Sequence, residues 1–172
     1  KDHALTELVE LLGLSKYPRR IEGYDISHQQ GTDVVASMVV FTNGVSDKGE
    51  YRKFKTKREH NNDFYNMHET ITRRLSEKNV TRWGLPDIFL IDGGKGQLDA
   101  ALRARDEASE KSRAVVFIGL AKREEQIVIK KPGADPGSNV TLNSQAVYTL
   151  GGFVTETEDF ILVNLTHTTN LV

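Results

Sequence analysis

The sequence predicts an α/β domain: a mixed sheet in which three antiparallel strands are followed by parallel ones, flanked by helices. Two observations predict it. Strand patterns recur early, over residues 21–26, over 34–42, and again where Tyr51, Lys53 and Lys55 alternate with Arg52, Phe54 and Thr56. Their short connections, one of them broken by Asn43-Gly44, make an antiparallel meander. Helical spacing then alternates with apolar runs at 88–91 and 114–120, each continuous enough to be buried on both faces and so to lie centrally and parallel.

Each element has its own warrant. Leu5, Leu8, Val9, Leu11 and Leu12 recur at helical spacing over residues 2–12, and Gly13 supplies a stop. Residues 1–19 therefore read as a packing or linker helix ahead of a domain that runs from 20 to 172. Over 62–75, Phe64, Met67, Ile71 and Leu75 fall on one helical face, with Asn61, Asn62 and Asp63 available as N-caps. Pro86 precedes the apolar strand at 88–91, and a second helix follows over 95–108 with Leu98, Ala101 and Leu102 in phase. A weaker strand at 126–129 leads into the clearest loop, 130–139, which carries Pro132-Gly133 and Asp135-Pro136-Gly137. Residues 140–150 are expected to form a hairpin arm with Phe153 and Val154, and 160–165 a late strand. Thr168-Thr169-Asn170 resembles a helix start just before the last residue, Val172, as expected of a fragment.

Composition narrows the function classes. The chain has 172 residues, 38% hydrophobic and 27% charged, enough for one domain with a sizeable core. No apolar run has the length of a membrane span, and no signal-peptide pattern opens the chain. With no cysteine, disulfides, thiolate zinc sites and cysteine nucleophiles are excluded; such a composition is compatible with the cytosol. A net charge of −1 gives no global attraction to nucleic acid, but Arg52, Lys53, Lys55, Lys57 and Arg58 form a dense basic stretch. That stretch is either a solvated face or a phosphate-binding one. Glu156, Glu158 and Asp159 make an acidic counterpart.

Two aspartates carry the chemistry. Asp25 sits within Glu22-Gly23-Tyr24-Asp25-Ile26-Ser27-His28, and Asp92 ends the apolar strand before Gly93-Gly94-Lys95-Gly96-Gln97. A carboxylate set into an apolar strand is costly to desolvate, so it is usually paired, hydrogen-bonded or bound to a cation. Oxygen donors suit Mg²⁺ or Mn²⁺, and one or two carboxylates plus substrate phosphates are the common arrangement for Mg²⁺. The plainer reading makes each Asp an N-cap or turn residue. The glycines after Asp92 fit a tight strand-to-helix turn or a phosphate cradle, and they lack the spacing of a nucleotide-binding P-loop. Lys95 and Lys122 are candidates for a DNA phosphate, against the alternative of solvated surface lysines.

Strand order and motifs together resemble a known family. The order is that of ribonuclease-H-like nucleases, which alone would fix no function. The segments around Asp25, Tyr51-Arg52-Lys53-Phe54, Leu85-Pro86-Asp87-Ile88-Phe89-Leu90-Ile91-Asp92 with its glycines, and Gly119-Leu120-Ala121-Lys122 occur in the same order as in the C-terminal nuclease domain of UvrC, the endonuclease subunit of bacterial nucleotide excision repair. The resemblance implies a metal-dependent phosphodiesterase that cuts DNA on the 5′ side of a lesion, acts with UvrB-like subunits, and works in the cytoplasm as part of the SOS response. It implies that Asp25 and Asp92 are catalytic and hold Mg²⁺ or Mn²⁺, one ion or two.

The same resemblance makes Asp63 a third catalytic carboxylate, with Asn62 standing where relatives have an acid. Local charge, not the resemblance, makes Lys53 and Lys55, with Lys95 and Lys122, candidates for contacting DNA. The family also uses a histidine on a C-terminal helix, in a segment without counterpart in this chain. These 172 residues are therefore expected to cut poorly or not at all. His28 is the better placed substitute, at the edge of the site; His167 precedes the expected helix, and His3, His60 and His68 are ordinary positions. A non-cleaving DNA-binding platform, or another ribonuclease-H-like enzyme such as a resolvase, are the competing functions.

Overall fold

The computed structural model describes residues 2–28, 34–56 and 62–165. One sheet organises them. Its strands are β1 (Arg20–His28), β2 (Val34–Thr42), β3 (Val45–Ser46), β4 (Arg52–Lys55), β5 (Ile88–Asp92), β6 (Val116–Ala121), β7 (Gln126–Lys130), β8 (Phe153–Glu156) and β9 (Phe160–Asn164). They lie in the order β3-β2-β1-β5-β6-β7-β9-β8, with β4 also paired to β2. β2 runs antiparallel to β1 and to β4, giving the expected meander, and β5 runs parallel to both β1 and β6, giving the expected central strand. β7, β9 and β8 complete the sheet antiparallel.

Helices cover both faces because strand parity makes both faces apolar. On one side, α2 (Asp63–Arg74) and α4 (Lys95–Glu107) bury Met67, Ile71, Leu98 and Leu102 against Tyr24, Phe89 and Phe117. On the other, α1 (Asp2–Leu12) and α5 (Ser144–Thr149) bury Leu5, Leu8, Leu11, Leu12 and Val147 against Ile21, Ile88, Leu90 and Ile118. At roughly 1.5–3 kcal/mol per buried aliphatic side chain, the four α1 leucines hold that helix firmly to the sheet. Gly13, at φ +58°, ends it as its sequence position requires. None of the helices among the described residues is long and apolar enough to cross a membrane.

Several local expectations are corrected. Residues 140–150 do not form a hairpin arm: Asn143 accepts a hydrogen bond from the Ala146 N–H (3.3 Å) and starts α5, whose Ala146 and Val147 are buried. Its cap, together with the Asn143 N–H bonded to the Leu11 carbonyl (2.8 Å), outweighs the strand preference of the flanking valines. A further helix, α3 (Glu77–Trp83), went unforeseen because it buries no residue and so carries no apolar stripe; Ser76 caps its start and Gly84, at φ 72°, its end. Phe64 leaves the buried face of α2 and is 53% exposed. Its ring lies over Gly96, where a Cβ would come within 2.4 Å of it. Lys57, Arg58, His60 and residues 168–170 lie outside the described residues.

Candidate metal centre

The parallel register of β1 on β5 positions the two aspartates. Ile21 faces Ile88, Glu22 faces Phe89, Gly23 faces Leu90 and Tyr24 faces Ile91; one step further, Asp25 comes opposite Asp92. Partners across a ladder project from the same face. The pair stands at the carboxyl end of the parallel β1–β5 ladder, Asp92 ending β5 and Asp25 three residues before the end of β1, on the side where open α/β sheets bind their ligands. Gly93 then turns the chain away at φ +149°, a conformation that side chains disfavour, and its N–H bonds the Leu120 carbonyl of β6 (3.0 Å).

Between them the strands leave a recess of about 160 Å³ lined by Gly23, Asp25, Ser37, Asp92, Leu120 and Lys122, among others. At roughly 30 Å³ per water molecule in the liquid, it has room for a small hydrated cation. Gly23 contributes by having no side chain there: a Cβ would meet Val39 Cγ2 at 2.9 Å.

The electrostatics of this recess are those of a site short of positive charge. Loss of water around Asp25 raises its carboxyl above the ordinary range, repulsion from Asp92 raises it further, and Lys122 only partly opposes them. Lys122 Nζ lies 3.2 Å from Asp92 Oδ2, so the protein's own ammonium stands where cationic charge is wanted. Two facing carboxylates with hard oxygen donors fit Mg²⁺ or Mn²⁺, with water and phosphate oxygens left to complete the shell. Among the described residues no three His, Cys, Asp or Glu side chains converge on one metal position.

Asp63 and the lysines are distributed around that pair. Asp63 is the first residue of α2 and its Oδ1 is 2.8 Å from His28 Nε2 at the end of β1, while it adds a weaker repulsion to Asp25. Asn62, the unusual amide of the motif, is the N-cap of α2 and accepts from the Tyr65 N–H at 3.1 Å. Lys53 and Lys55 are exposed on β4, and their face is decided by register. Asp25 pairs with Ser37 and Ser37 with Lys53, so a single row, Asp92, Asp25, Ser37, Lys53, crosses four strands on one face. At about 4.8 Å per strand, Lys53 stands roughly 10 Å from Asp25. Lys95 is exposed in the first turn of α4 and does not line the recess. His68 pairs with Glu107 (2.7 Å), and His167 is outside the described residues.

Sequence reasoning missed two partners. Ser37 had no visible motif, and only the strand register reveals it. The His28–Asp63 contact is half legible: the motifs mark both residues, and only the fold joins them.

The family model described as the UvrC RNAse H endonuclease domain matches residues 9–160. This chain belongs to that family. A UvrABC system protein C of Gemmatimonas aurantiaca is 52% identical over 122 residues, covering 70% of this chain and 20% of that protein. Another, of Prochlorococcus marinus strain MIT 9312, is 36% identical over 190 residues, covering 94% of this chain and 28% of its own length. The chain thus spans between a fifth and about a quarter of these curated relatives. Among solved structures, a Ciona intestinalis endonuclease V in complex with a DNA containing an inosine superposes with a TM-score of 0.47 at 15% identity, over 97% of this chain and 79% of that one, too distant to bear on function. The family's ribonuclease-H-like class agrees with the sheet order, three antiparallel strands giving way to the parallel β1, β5 and β6.

Proposed function

We propose that this UvrC-family domain is the metal-dependent nuclease that cuts lesion-bearing double-stranded DNA on the 5′ side during nucleotide excision repair. The observation that carries the reading is the register that sets Asp25 opposite Asp92, with the first carboxyl raised by desolvation and repulsion. Asp25 and Asp92 hold Mg²⁺ or Mn²⁺, which when bound lowers the pKa of a water and polarises the scissile phosphate. Lys122, already paired with Asp92, turns to the phosphate or its leaving oxygen; Lys53 and Lys55, on the same face, hold the neighbouring backbone, and Lys95 lies at its margin. Asp63 orients His28 at the rim rather than joining the pair.

The substrate reaches the domain in a larger protein acting with a UvrB-like subunit in the cytoplasm. These 172 residues lack the family's histidine segment, so by themselves they bind metal weakly and cut slowly; a positioned acid–base group typically contributes ~10²–10⁴-fold.

The test combines binding and chemistry. Mn²⁺ or Mg²⁺ should raise the melting temperature of the wild-type domain and leave Asp92→Ala unmoved. A longer chain that includes the family's histidine helix should nick DNA and lose that activity with Asp92→Ala. A metal shift retained in both Asp25→Ala and Asp92→Ala would dismiss the assignment. Metal binding without nicking in the longer chain would favour a non-cleaving platform.

A further inference from the structure

The outer edge of β4 carries a second feature that the carboxylate site does not use. A cleft of about 410 Å³ opens between β4, the end of α2 and α3, lined by Arg52, Lys53, Arg73, Lys78, Asn79 and Trp83 among others, with no carboxylate in its lining. Its floor is aromatic. Phe54 meets Trp83 edge-on with centroids 6.3 Å apart, Arg73 lies 5.3 Å over Phe54, and Arg52 and Arg82 each lie 5.5 Å from the Trp83 ring. Guanidinium groups held on rings in this way are ordered before any ligand arrives.

Their hydrogen bonds leave most of this charge unneutralised. Arg52 donates to the carbonyls of Gly49 and Tyr51, and Arg73 to that of Lys55, with one distant carboxylate, Glu69, at 3.9 Å. Asn79 donates to the Arg73 carbonyl and so keeps α3 at its angle to α2. Among the described residues, Lys53 and Lys78 have no carboxylate partner within 4 Å.

We infer that this cleft binds the phosphate backbone of the nucleic acid whose scissile bond lies at Asp25 and Asp92, holding the strand where it leaves the sheet edge. Lys53 joins the two places: its row reaches Asp25 through Ser37 on one face of β4, and the same residue lines the cleft that Arg52 and Phe54 form on the other, at the edge the strand would cross. Four cations, two of them arginines held on the rings beneath, fit the phosphates of a polyanion and contain nothing that would select a base in a duplex groove. The inference rests on the domain being a nuclease, but it concerns a surface that needs neither metal nor catalysis.

The experiment is therefore done in EDTA, with undamaged duplex DNA and the 172-residue chain. Trp83 is the single tryptophan, so its emission reports occupancy of the cleft directly. DNA should change that emission with the same midpoint as the anisotropy of the labelled duplex. Lys78→Gln, at an exposed position on α3, should weaken binding several-fold and lower the slope of log affinity against log salt by about 0.9, the value for one phosphate no longer neutralised. Lys16→Gln, on the far side beyond α1, should change neither. Binding seen by anisotropy with Trp83 unmoved, or an unchanged slope in Lys78→Gln, would overturn the proposal. So would a Trp83 response to polyglutamate with none to DNA, which would assign the cleft to an acidic protein partner. None of these results touches the metal shift that tests Asp25 and Asp92.

Discussion

Strand β1 carries two carboxylates three residues apart, and the molecule treats them in opposite ways. Glu22 is fully buried and saturated: Arg74 grips it side-on through Nε and Nη2 (2.8 Å each), the Tyr24 hydroxyl donates to it at 2.7 Å, and Arg20 Nε adds a fourth bond at 2.8 Å. Burial raises the Tyr24 phenol well above its ordinary value, and the charge of Glu22 adds to that, so the hydroxyl stays a donor. Asp25, on the other face, meets another carboxylate and a single shared lysine. A charge whose partners are all internal ties β1 to α2; a charge left short of partners is available to something from outside.

The contrast can be broken in graded steps. Arg74→Leu should cost about 3–5 kcal/mol in urea unfolding, because it strands Glu22 without its main partner; a loss below about 1 kcal/mol would show that Tyr24 and Arg20 suffice. Asp92→Asn should leave metal-free stability within about 0.5 kcal/mol yet remove the metal-induced gain, ~2.7 kcal/mol at a hundredfold excess over Kd. Lys122→Met should tighten Mn²⁺ binding by a factor of a few, the size expected of a surface ion pair, since an internal competitor for Asp92 is gone. Weaker binding would make Lys122 a support of the carboxylate geometry instead.

The smallest step is a titration. Because the Asp25 carboxyl lies above its unfolded value, the folded domain holds that proton more tightly than the unfolded chain. Its contribution to stability is fully present below the ordinary carboxylate pKa and is lost as pH rises through the raised folded value. In Asp92→Asn the carboxyl-carbon resonance of Asp25 should titrate lower, towards the ordinary range, and that window should narrow. An unchanged midpoint would mean that desolvation alone sets it.

How far the sequence reveals all this differs by region. The Asp92 strand was legible because an unbroken apolar run ending in Asp-Gly-Gly has few other meanings, and the shared face of Asp25 and Asp92 follows once their strands are neighbours. The Glu22 network was readable in principle: a glutamate between Ile21 and Tyr24 demands a cation, and Arg74 falls in phase with Met67 and Ile71 on α2. What was not readable were elements without a buried stripe. α3 has none, Phe64 found room over a glycine on another helix, and α5 was set by a single asparagine cap. The β4 cleft likewise depends on rings and guanidinium groups that three separate segments bring together.

Asp25 and Asp92 lie 67 positions apart in the chain, and the β1–β5 ladder brings them together. Pairings of such long sequence separation are the entropically expensive part of folding, since a large loop must close before any contact rewards it. No nascent chain released before β5, no collapsed intermediate without that ladder, and no proteolytic half of the domain can assemble the carboxylate pair. Whatever chemistry the pair performs is thereby tied to completion of the fold, because neither carboxylate meets the other until β5 has docked beside β1.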